Sequence, residues 1–262
     1  MKITGFTYLI KLFSLLIVLT VIQIKSSNAQ ELKTKETIFD EASVVYKESY
    51  FGGLMLHTNG FGGHFSYGRN ITAFKSRVYQ IDAVFIKHPK EIRSFNAFSE
   101  NSRSFIFGKL NTFLVLRPTI GNRVMKFDKI RTSGVAVGYS WRLGPSLGIT
   151  KPIYLEVLDE DASFFRVSVE KATADLFQDR PIYGRAGGLR GLNEIQFHPG
   201  VHGALALNFD YDPQRQGIKG LEVGLSVDYF PLGEVEIMAL AENTKLFVNL
   251  FVILQIGKKV NP

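Results

Sequence analysis

Cysteine is absent from the 262-residue chain. The protein therefore has neither a disulfide framework nor the lipid-modified cysteine of a lipoprotein. Long apolar runs are scarce as well. The longest apolar segment, residues 12–24, lies near the start of the chain and is interrupted by Ser14 and Thr20. A membrane-spanning helix needs about 20 predominantly apolar residues, so the sequence predicts no helical membrane anchor in the exported chain.

The first 29 residues have the features of a cleaved secretory signal peptide. Lys2 and Lys11 make the start basic, residues 12–24 form an apolar centre, and Ser27-Asn28-Ala29 is a small-residue exit. The sequence predicts cleavage after Ala29, so we expect the mature chain outside the cytoplasm. Residues 30–49 are charged and show no alternation, and they are interpreted as a periplasmic lead-in.

Strong charge of either sign is also missing. Removing residues 1–29 takes away three lysines and no acids, which leaves 28 basic and 24 acidic side chains, a balance of about +4. The mature chain has no basic stripe with interleaved aromatic residues. Nucleic acid is therefore not expected as a partner.

Two long segments near the end of the chain alternate in polarity with a period of two. Residues 221–229 exchange apolar with polar or small residues at every step, and every even position from Leu246 to Ile256 is aliphatic. Strands in soluble sheets usually have five or six residues, whereas a tilted strand that spans a bilayer needs about 9 to 11. This length favours transmembrane β-strands.

Similar alternation predicts an all-β fold, a transmembrane antiparallel up-and-down β-barrel over residues 50–258. The number of such segments predicts eight strands, and ten are possible if residues 153–157 pair with residues 164–169. The eight predicted strands are residues 50–58, 61–67, 77–86, 104–120, 135–143, 201–211, 221–229 and 246–256.

The connections between these strands differ in length in a regular way. An Asn59-Gly60 turn and the predicted loops 88–103, 152–192 and 230–244 fall at one end of the barrel. Shorter connections, with one reversal at Arg69-Asn70 and another segment over residues 121–132, fall at the other end. Short periplasmic turns and long extracellular loops are typical of outer-membrane barrels, so the cell outer membrane is the expected location.

Several charged residues occupy the alternate positions that face inward if the aliphatic face is outward. An eight-stranded barrel has an interior just wide enough to be filled by side chains, and opposite charges there must pair. The sequence therefore predicts a polar network inside the barrel, with Arg142 and Glu222 as a candidate pair. Its members are Asp82, Arg117, Arg142, Glu222 and Asp228.

The long loop 152–192 is the candidate interaction region. It holds an acidic cluster at residues 156–161, a possible helix over residues 163–177 and a run rich in glycine and arginine. Its arginines are expected either to pair with the acidic cluster or to bind lipopolysaccharide phosphates at the outer leaflet. The external candidates are Arg180, Arg185 and Arg190.

No pattern in the sequence indicates catalysis, a cofactor or a metal site. His198 and His202 are four residues apart, which suits a metal on a helix but spans about 13 Å on a strand. His57, His64 and Ser66 lack a hydrolase signature. The glycines of residues 184–191 lack the lysine and the hydroxyl of a phosphate-binding loop. The chain is therefore expected to be non-enzymatic.

Five segments resemble a family of small outer-membrane β-barrel proteins of the Bacteroidota. The matching segments are residues 107–111, 144–156, 182–186, 191–194 with 198–200, and 227–231. The resemblance implies an outer-membrane, non-enzymatic barrel and supplies no catalytic residues. One departure is the chain end, Gly257-Lys258-Lys259-Val260-Asn261-Pro262, which lacks a terminal aromatic residue.

Some small barrels of that phylum look like accessory subunits of larger envelope machines, such as the barrel-assembly and type 9 secretion complexes. The resemblance therefore implies a structural or accessory subunit whose partners are a larger outer-membrane barrel or surface lipoproteins, together with outer-membrane lipid. Two alternatives stay open at the level of sequence. One is a stand-alone small porin or transporter, and the other is a barrel enzyme that modifies lipid.

Overall fold

Eight long strands form a closed antiparallel barrel in the computed structural model, which confirms the predicted fold and strand number. The barrel strands are β1 (Glu48–His57), β2 (Gly60–Thr72), β3 (Lys75–Ile86), β6 (Asn111–Phe127), β7 (Ala136–Pro152), β11 (Gln196–Asp210), β12 (Gly217–Tyr229) and β13 (Leu246–Val260). Around the barrel they follow the order β1-β13-β12-β11-β7-β6-β3-β2. Each strand thus pairs with its nearest barrel neighbours in the chain, and the first pairs with the last.

The structure describes residues 47–96, 102–128, 134–159, 166–211, 217–239 and 241–260. The predicted signal peptide, residues 1–29, and most of the predicted lead-in lie outside the described residues. The last two lead-in residues, Glu48 and Ser49, are the first residues of β1.

The period-two pattern sorts side chains between the two faces of the barrel wall. On β12, Leu225 faces outward and is 42% exposed, whereas Glu222 and Asp228 face inward and are fully buried. On β13 the even residues face outward, from Leu246 at 52% exposed to Ile256 at 73% exposed. Apolar side chains thus cover the outside, and the interior holds buried charged groups together with apolar side chains. An apolar outer face over an interior that contains charges is typical of a membrane-spanning barrel.

Several strands continue past the ends that the sequence predicts. The predicted reversal at Arg69-Asn70 is wrong, because β2 runs on to Thr72 and these residues pair with Arg77 and Ser76 of β3. Likewise β6 continues through residues 121–127, which the sequence assigns to a connection. In these extensions polar residues such as Arg69 and Lys126 take outward positions and interrupt the apolar outer face, although Ile71 and Phe127 are exposed there too and the backbone groups stay paired.

The two ends of the barrel differ in their connections. At the short-turn end, residues 73–74, 128–135 and 211–216 join the strands; at the long-loop end, residues 58–59, 87–110, 153–195 and 230–245 do so. Among the described residues, no helix has the length and apolar character needed to cross a membrane.

The longest connection contains a small sheet of its own, in the order β10-β8-β9. Its elements are β8 (Tyr154–Asp159), β9 (Arg166–Lys171), α1 (Leu176–Asp179) and β10 (Ile182–Arg185). We call this group the loop subdomain. The two extra strands considered above do pair with each other, but in this separate sheet, so the barrel keeps eight strands. The predicted helix over residues 163–177 is wrong, since half of its described part is β9 and the only helix there, α1, has four residues.

A second short hairpin lies in the connection between β3 and β6. It consists of β4 (Arg93–Ser94) and β5 (Phe105–Ile106), which pair with each other. The backbone N–H of Arg185 on β10 donates to the carbonyl of Arg103, so this connection lies against the loop subdomain.

Candidate functional site

A buried ion pair joins two strands across the barrel interior. Arg117 on β6 donates from Nε to Oδ1 of Asp228 on β12 at 3.0 Å and from a terminal nitrogen to Oδ2 at 2.7 Å. The same carboxylate lies 2.8 Å from Nδ1 of His202 on β11. All three side chains are at most 1% exposed. This two-bond arginine-carboxylate geometry is the strongest kind of side-chain pairing.

A second cluster is centred on the buried carboxylate of Glu222. Arg142 on β7 lies 2.5 Å from Oε1, and Arg123 on β6 lies 3.2 Å from Oε2. Gln255 on β13 donates to Oε2 at 2.7 Å and accepts from Arg123 at 2.9 Å. The predicted partners Arg142 and Glu222 are therefore in contact, and two residues that the sequence did not single out complete the cluster.

The fifth predicted member of the network, Asp82, has a different partner. Its carboxylate accepts from Nε2 of Gln80 at 2.6 Å, and Gln80 in turn accepts from the hydroxyl of Ser66 at 2.9 Å. Asp82 is directly opposite Arg117 in the register of β3 and β6. All five predicted residues thus face the interior, although Asp82 is bonded to an amide and not to an arginine in the described contacts.

Three aromatic rings fill the interior near the long-loop end. Phe113 on β6 and Phe247 on β13 have ring centroids 5.5 Å apart, and Phe230 lies 5.6 Å from Phe113 and 5.9 Å from Phe247. β6 and β13 are opposite each other in the ring of eight strands. The contact therefore crosses the full width of the barrel, and the rings occupy its cross-section.

Two glycines on the barrel wall provide the space for these rings. A Cβ atom added at Gly148 would lie 2.7 Å from the Phe113 ring and 3.1 Å from the Phe230 ring. One added at Gly200 would lie 2.7 Å from the Phe230 ring. Any larger residue at either position would therefore push against the rings.

The interior is also filled toward the short-turn end. The guanidinium of Arg123 lies 4.7 Å from the ring centroid of Phe51 on β1, and Phe51 packs with Val78 and Ile218. Between the two ends, Arg142 lies 5.8 Å from the ring of Phe251 on β13. Side chains from opposing walls thus meet at several heights, so the interior is a packed core and not an open channel.

The outward face carries an apolar band with aromatic residues. At the side of the band nearest the short-turn end, Tyr50, Tyr67 and Tyr79 form a row, with ring centroids 5.1 and 6.1 Å apart. Phe61 and Phe85, 5.8 Å apart, lie on the side nearest the long-loop end. Rows of aromatic residues at both edges of an apolar band are typical of a barrel in a membrane.

The loop subdomain has an apolar core separate from that of the barrel. Leu155 and Val157 of β8 are at most 1% exposed and pack with Leu176 and Phe177 of α1 and with Phe105 of β5. Gly184 allows this packing, because an added Cβ would lie 2.9 Å from the carbonyl oxygen of Arg103. The long loop is therefore a folded unit at the long-loop end.

The three predicted loop arginines have different environments. Arg180 donates to Glu170 of β9 at 2.7 Å, and the expected acidic cluster at residues 156–161 lies partly outside the described residues. The side chains of Arg185 and Arg190 are exposed and have no carboxylate partner in the part of the chain that the structure describes. Leu189 and Leu192 beside them are 82% and 49% exposed. Arg185 and Arg190 are therefore available to a partner.

One polar cluster fixes the subdomain to the start of β11. Lys171 donates to Glu194 at 2.5 Å, and the hydroxyl of Tyr154 donates to the same carboxylate. The bonds from Lys171 and then Tyr154 lower the pKa of the Glu194 carboxyl. The hydrogen bond to Glu194 raises the pKa of the Tyr154 hydroxyl, because the carboxylate disfavours a phenolate beside it.

Three of the four histidines considered as ligands or catalysts have separate partners, and both ring nitrogens of the fourth, His64, have no hydrogen-bond partner among the described residues. His198 lies 3.0 Å from the Thr150 hydroxyl, whereas His202 contacts Asp228. His57 lies 2.8 Å from the sulfur of Met55, and Ser66 donates to Gln80. The described residues contain no group of three or more histidine and acidic side chains placed to hold a metal ion.

The residues that sequence reasoning missed are mainly those that meet across the barrel. Alternation signals that Phe113 and Phe247 take inward positions, but it does not signal that they touch. The polar inward positions of Arg123 and Gln255 were visible in the same way. The glycines at positions 148 and 200, which occupy inward positions of the alternation, are the signal that could have indicated a crowded interior.

No protein-family model matches the chain, and no curated protein sequence matches it. Among solved structures it is similar to Ail, the attachment invasion locus protein of Yersinia pestis, in complex with the heparin analogue sucrose octasulfate, with a TM-score of 0.38 and 11% identity over 81% of this chain and 98% of that chain. It is also similar to Neisserial surface protein A, with a TM-score of 0.36 and 9% identity over 81% of this chain and 95% of that chain. Similarities this distant carry no inference about what the chain does.

Proposed function

We propose that this chain is a non-enzymatic integral outer-membrane β-barrel that acts as a structural or accessory subunit of an envelope complex. The observation that carries the proposal is the combination of an apolar outer band with an interior filled by ion pairs and aromatic rings. Such a barrel inserts into a membrane without opening a path through it. The features at sequence positions 1–29 and the difference between the two barrel ends support the outer membrane as the location, with the long-loop end outside the cell.

The loop subdomain supports a role in binding a partner. A connection needs only a few residues, and a long one is usually functional. This connection has its own sheet and its own buried core, so it is rigid enough to present a surface. The exposed Arg185 and Arg190, with Leu189 beside them, suit an acidic and partly apolar surface of a larger barrel or a surface lipoprotein.

Recovery of partners from the native outer membrane tests this role. Tagged protein is extracted in mild detergent, and co-purifying proteins are identified and quantified by mass spectrometry. Stoichiometric recovery of a larger barrel or of lipoproteins is expected for the unchanged chain, and the Arg185→Glu/Arg190→Glu variant should lose most of it. The matched control is Lys87→Glu/Lys90→Glu, which makes the same charge change at the same end and should retain the partner.

The filled interior counts against the alternative of a stand-alone porin, and planar bilayers test it directly. The purified barrel is expected to add no discrete conductance steps, because the contact between Phe113 and Phe247 and the pair of Arg117 and Asp228 both cross the interior. Sustained channel steps, together with recovery of the protein alone from its native membrane, would contradict the accessory role.

A further inference from the structure

Two arginines lie side by side on the outward face at the short-turn end. Arg69 of β2 is directly opposite Arg77 of β3 in the antiparallel register, one outward position beyond the pair of Tyr67 and Tyr79. Both arginine side chains are exposed. Directly opposite residues on one face have Cβ atoms about 4.5–5.5 Å apart, and like charges at that distance are destabilising. The arrangement therefore needs an anion between or beside the two guanidinium groups.

The described residues place one carboxylate beside the pair, that of Glu48 on β1. Neither Arg69 nor Arg77 has a carboxylate partner in the portions of the chain that the structure describes. Glu48 is opposite Arg69 on β1, but its oxygens accept hydrogen bonds from Tyr67 at 2.8 Å and Tyr50 at 3.4 Å. On its other side, Arg77 is opposite the neutral Asn122 of β6. One carboxylate, already bonded to two tyrosines, thus faces two arginines.

The position of the pair corresponds to the depth of lipid phosphates. The three tyrosines Tyr50, Tyr67 and Tyr79 mark the edge of the apolar band, and the next outward residues lie about 7 Å farther along the strands. Tyrosine rows in membrane barrels lie at the level of the headgroups. Side chains just beyond the row therefore meet phosphodiesters and not hydrocarbon.

The surrounding charge favours an anion as well. Apart from Arg123, which is bonded inside the barrel, the described part of the short-turn end has eight basic side chains and three acidic ones. The basic residues are Lys47, Arg69, Lys75, Arg77, Lys126, Lys219, Lys258 and Lys259, and the acidic residues are Glu48, Asp128 and Asp210. Only Arg69 and Arg77 among the basic residues are directly opposite each other in the barrel register.

We propose that Arg69 and Arg77, together with the tyrosine row beside them, form a binding site for the headgroup of an anionic phospholipid in the leaflet at the short-turn end. The planar guanidinium groups bind the phosphodiester oxygens with paired hydrogen bonds, and the tyrosine rings contact the glycerol and the first part of the acyl chains. The site rests on the proposed membrane insertion, and it adds a lipid preference that insertion alone does not require.

The single tryptophan of the chain is a probe next to this site. Trp141 of β7 faces outward, is 38% exposed, and is opposite Asn122, which is opposite Arg77. Adjacent strands are about 4.8 Å apart, so the backbone of Trp141 lies about 10 Å from that of Arg77. Lipids with brominated acyl chains quench tryptophan fluorescence at near contact, so they report which lipid lies there.

The experiment compares two sets of vesicles with the same lipid composition, phosphatidylcholine with a minor fraction of phosphatidylglycerol. In one set the phosphatidylglycerol is brominated, and in the other an equal fraction of the phosphatidylcholine is brominated. We expect brominated phosphatidylglycerol to quench Trp141 several-fold more strongly, since each basic residue near an anionic lipid contributes about a factor of five in affinity. In the Arg69→Gln/Arg77→Gln variant, the two brominated lipids should quench Trp141 equally.

Two controls make the outcome specific. Lys219→Gln removes a positive charge from an outward position of β12 at the same end, away from the tyrosine row, and should keep the preference. Arg77→Glu should lose the preference while giving Arg69 an opposite charge across the strands, so the barrel itself remains well paired. Inorganic phosphate at matched ionic strength should leave the preference unchanged, because a site in the membrane is occupied by lipid.

Equal quenching by both lipids in the unchanged protein would overturn the proposal. The proposal would also fail if the lysine control lost the preference for phosphatidylglycerol as completely as the arginine variant does. Abolition by inorganic phosphate would assign the site to a free anion and not to a lipid. Failure of the barrel to insert is recognised separately, because then neither brominated lipid quenches Trp141 and the heat-dependent gel migration of a folded barrel is absent.

Discussion

Neutralising Asp228 tests whether the interior ion pairs hold the barrel together. In Asp228→Asn the side chain keeps its shape, but the fully buried guanidinium of Arg117 loses an ionised partner that it contacts at 2.7 and 3.0 Å. Breaking a buried pair by removing one charge costs about 3–5 kcal/mol, and two charge-assisted hydrogen bonds of about 1.5–3 kcal/mol each give a similar range. We expect unfolding to become easier by about 4 kcal/mol.

A double-mutant cycle separates the pair from its surroundings. Arg117→Met removes the guanidinium, and the double variant should be more stable than the sum of the two single losses by about 2–3 kcal/mol, because neither charge is then left unpaired. The assay is reversible denaturant unfolding in phosphatidylcholine vesicles. The unfolding is followed by the fluorescence of Trp141, which lies on the outward face of the barrel wall.

An exposed pair in the loop subdomain provides the matched comparison. Arg180 and Glu170 are 44% and 39% exposed, and their distance of 2.7 Å is as short as that of the buried pair. An exposed pair usually contributes about 0.2–1 kcal/mol. The reasoning is that burial, and not distance, decides the strength of the interior pairs. It would be refuted if the coupling free energy between Arg117 and Asp228 were no larger than that between Arg180 and Glu170.

Other predictions concern the aromatic rings, the loop subdomain and its polar cluster. Phe113→Ala should destabilise the barrel by about 3–5 kcal/mol, whereas Phe85→Ala on the lipid-facing side should cost clearly less in the same unfolding assay, because lipid fills the space. Val157→Asp should expose the subdomain to added protease and leave the heat-dependent gel migration of the barrel unchanged; a lost gel shift would show that the two units fold together. Glu194→Gln should lower the raised pKa of Tyr154 toward its ordinary value, as followed by NMR of the tyrosine ring carbons. An unchanged titration would exclude a hydrogen bond between Tyr154 and Glu194 in solution.

The same polar cluster also predicts a dependence on acid. Because the pKa of Glu194 is lowered, its contribution to the subdomain is present above its ordinary value of 4.5 and is lost as the pH falls below it. In Glu194→Gln this acid-dependent increase in protease sensitivity should be absent.

The sequence could predict whether a strand residue faces inward or outward, but it could not predict which side chain that residue contacts. Period-two alternation with an aliphatic outer face places Arg142 and Glu222 inside whatever the register is. The register, however, decides that Asp82 bonds Gln80 while Arg117 bonds Asp228. Register depends on how eight strands close together, which no single strand encodes.

Strand ends were harder to predict for a different reason. Alternation is visible only where one face meets lipid, and beyond the apolar band both faces meet water. Residues 69–72 and 121–127 are paired strand, but Arg69 and Lys126 take outward positions there and interrupt the aliphatic face. In the loop subdomain, β8 has only two deeply buried positions, Leu155 and Val157, too few to distinguish a strand of a separate sheet from a barrel strand.

The connections at the long-loop end are unequal around the barrel. β1 meets β2 at a two-residue turn, whereas β7 continues into the loop subdomain. A protein of the same membrane that approaches from the side of β1 and β2 meets a short turn, and one that approaches from β7 meets the folded loop subdomain. Neighbours in the plane of the membrane can therefore be distinguished by direction of approach, which a cylindrically uniform barrel does not allow.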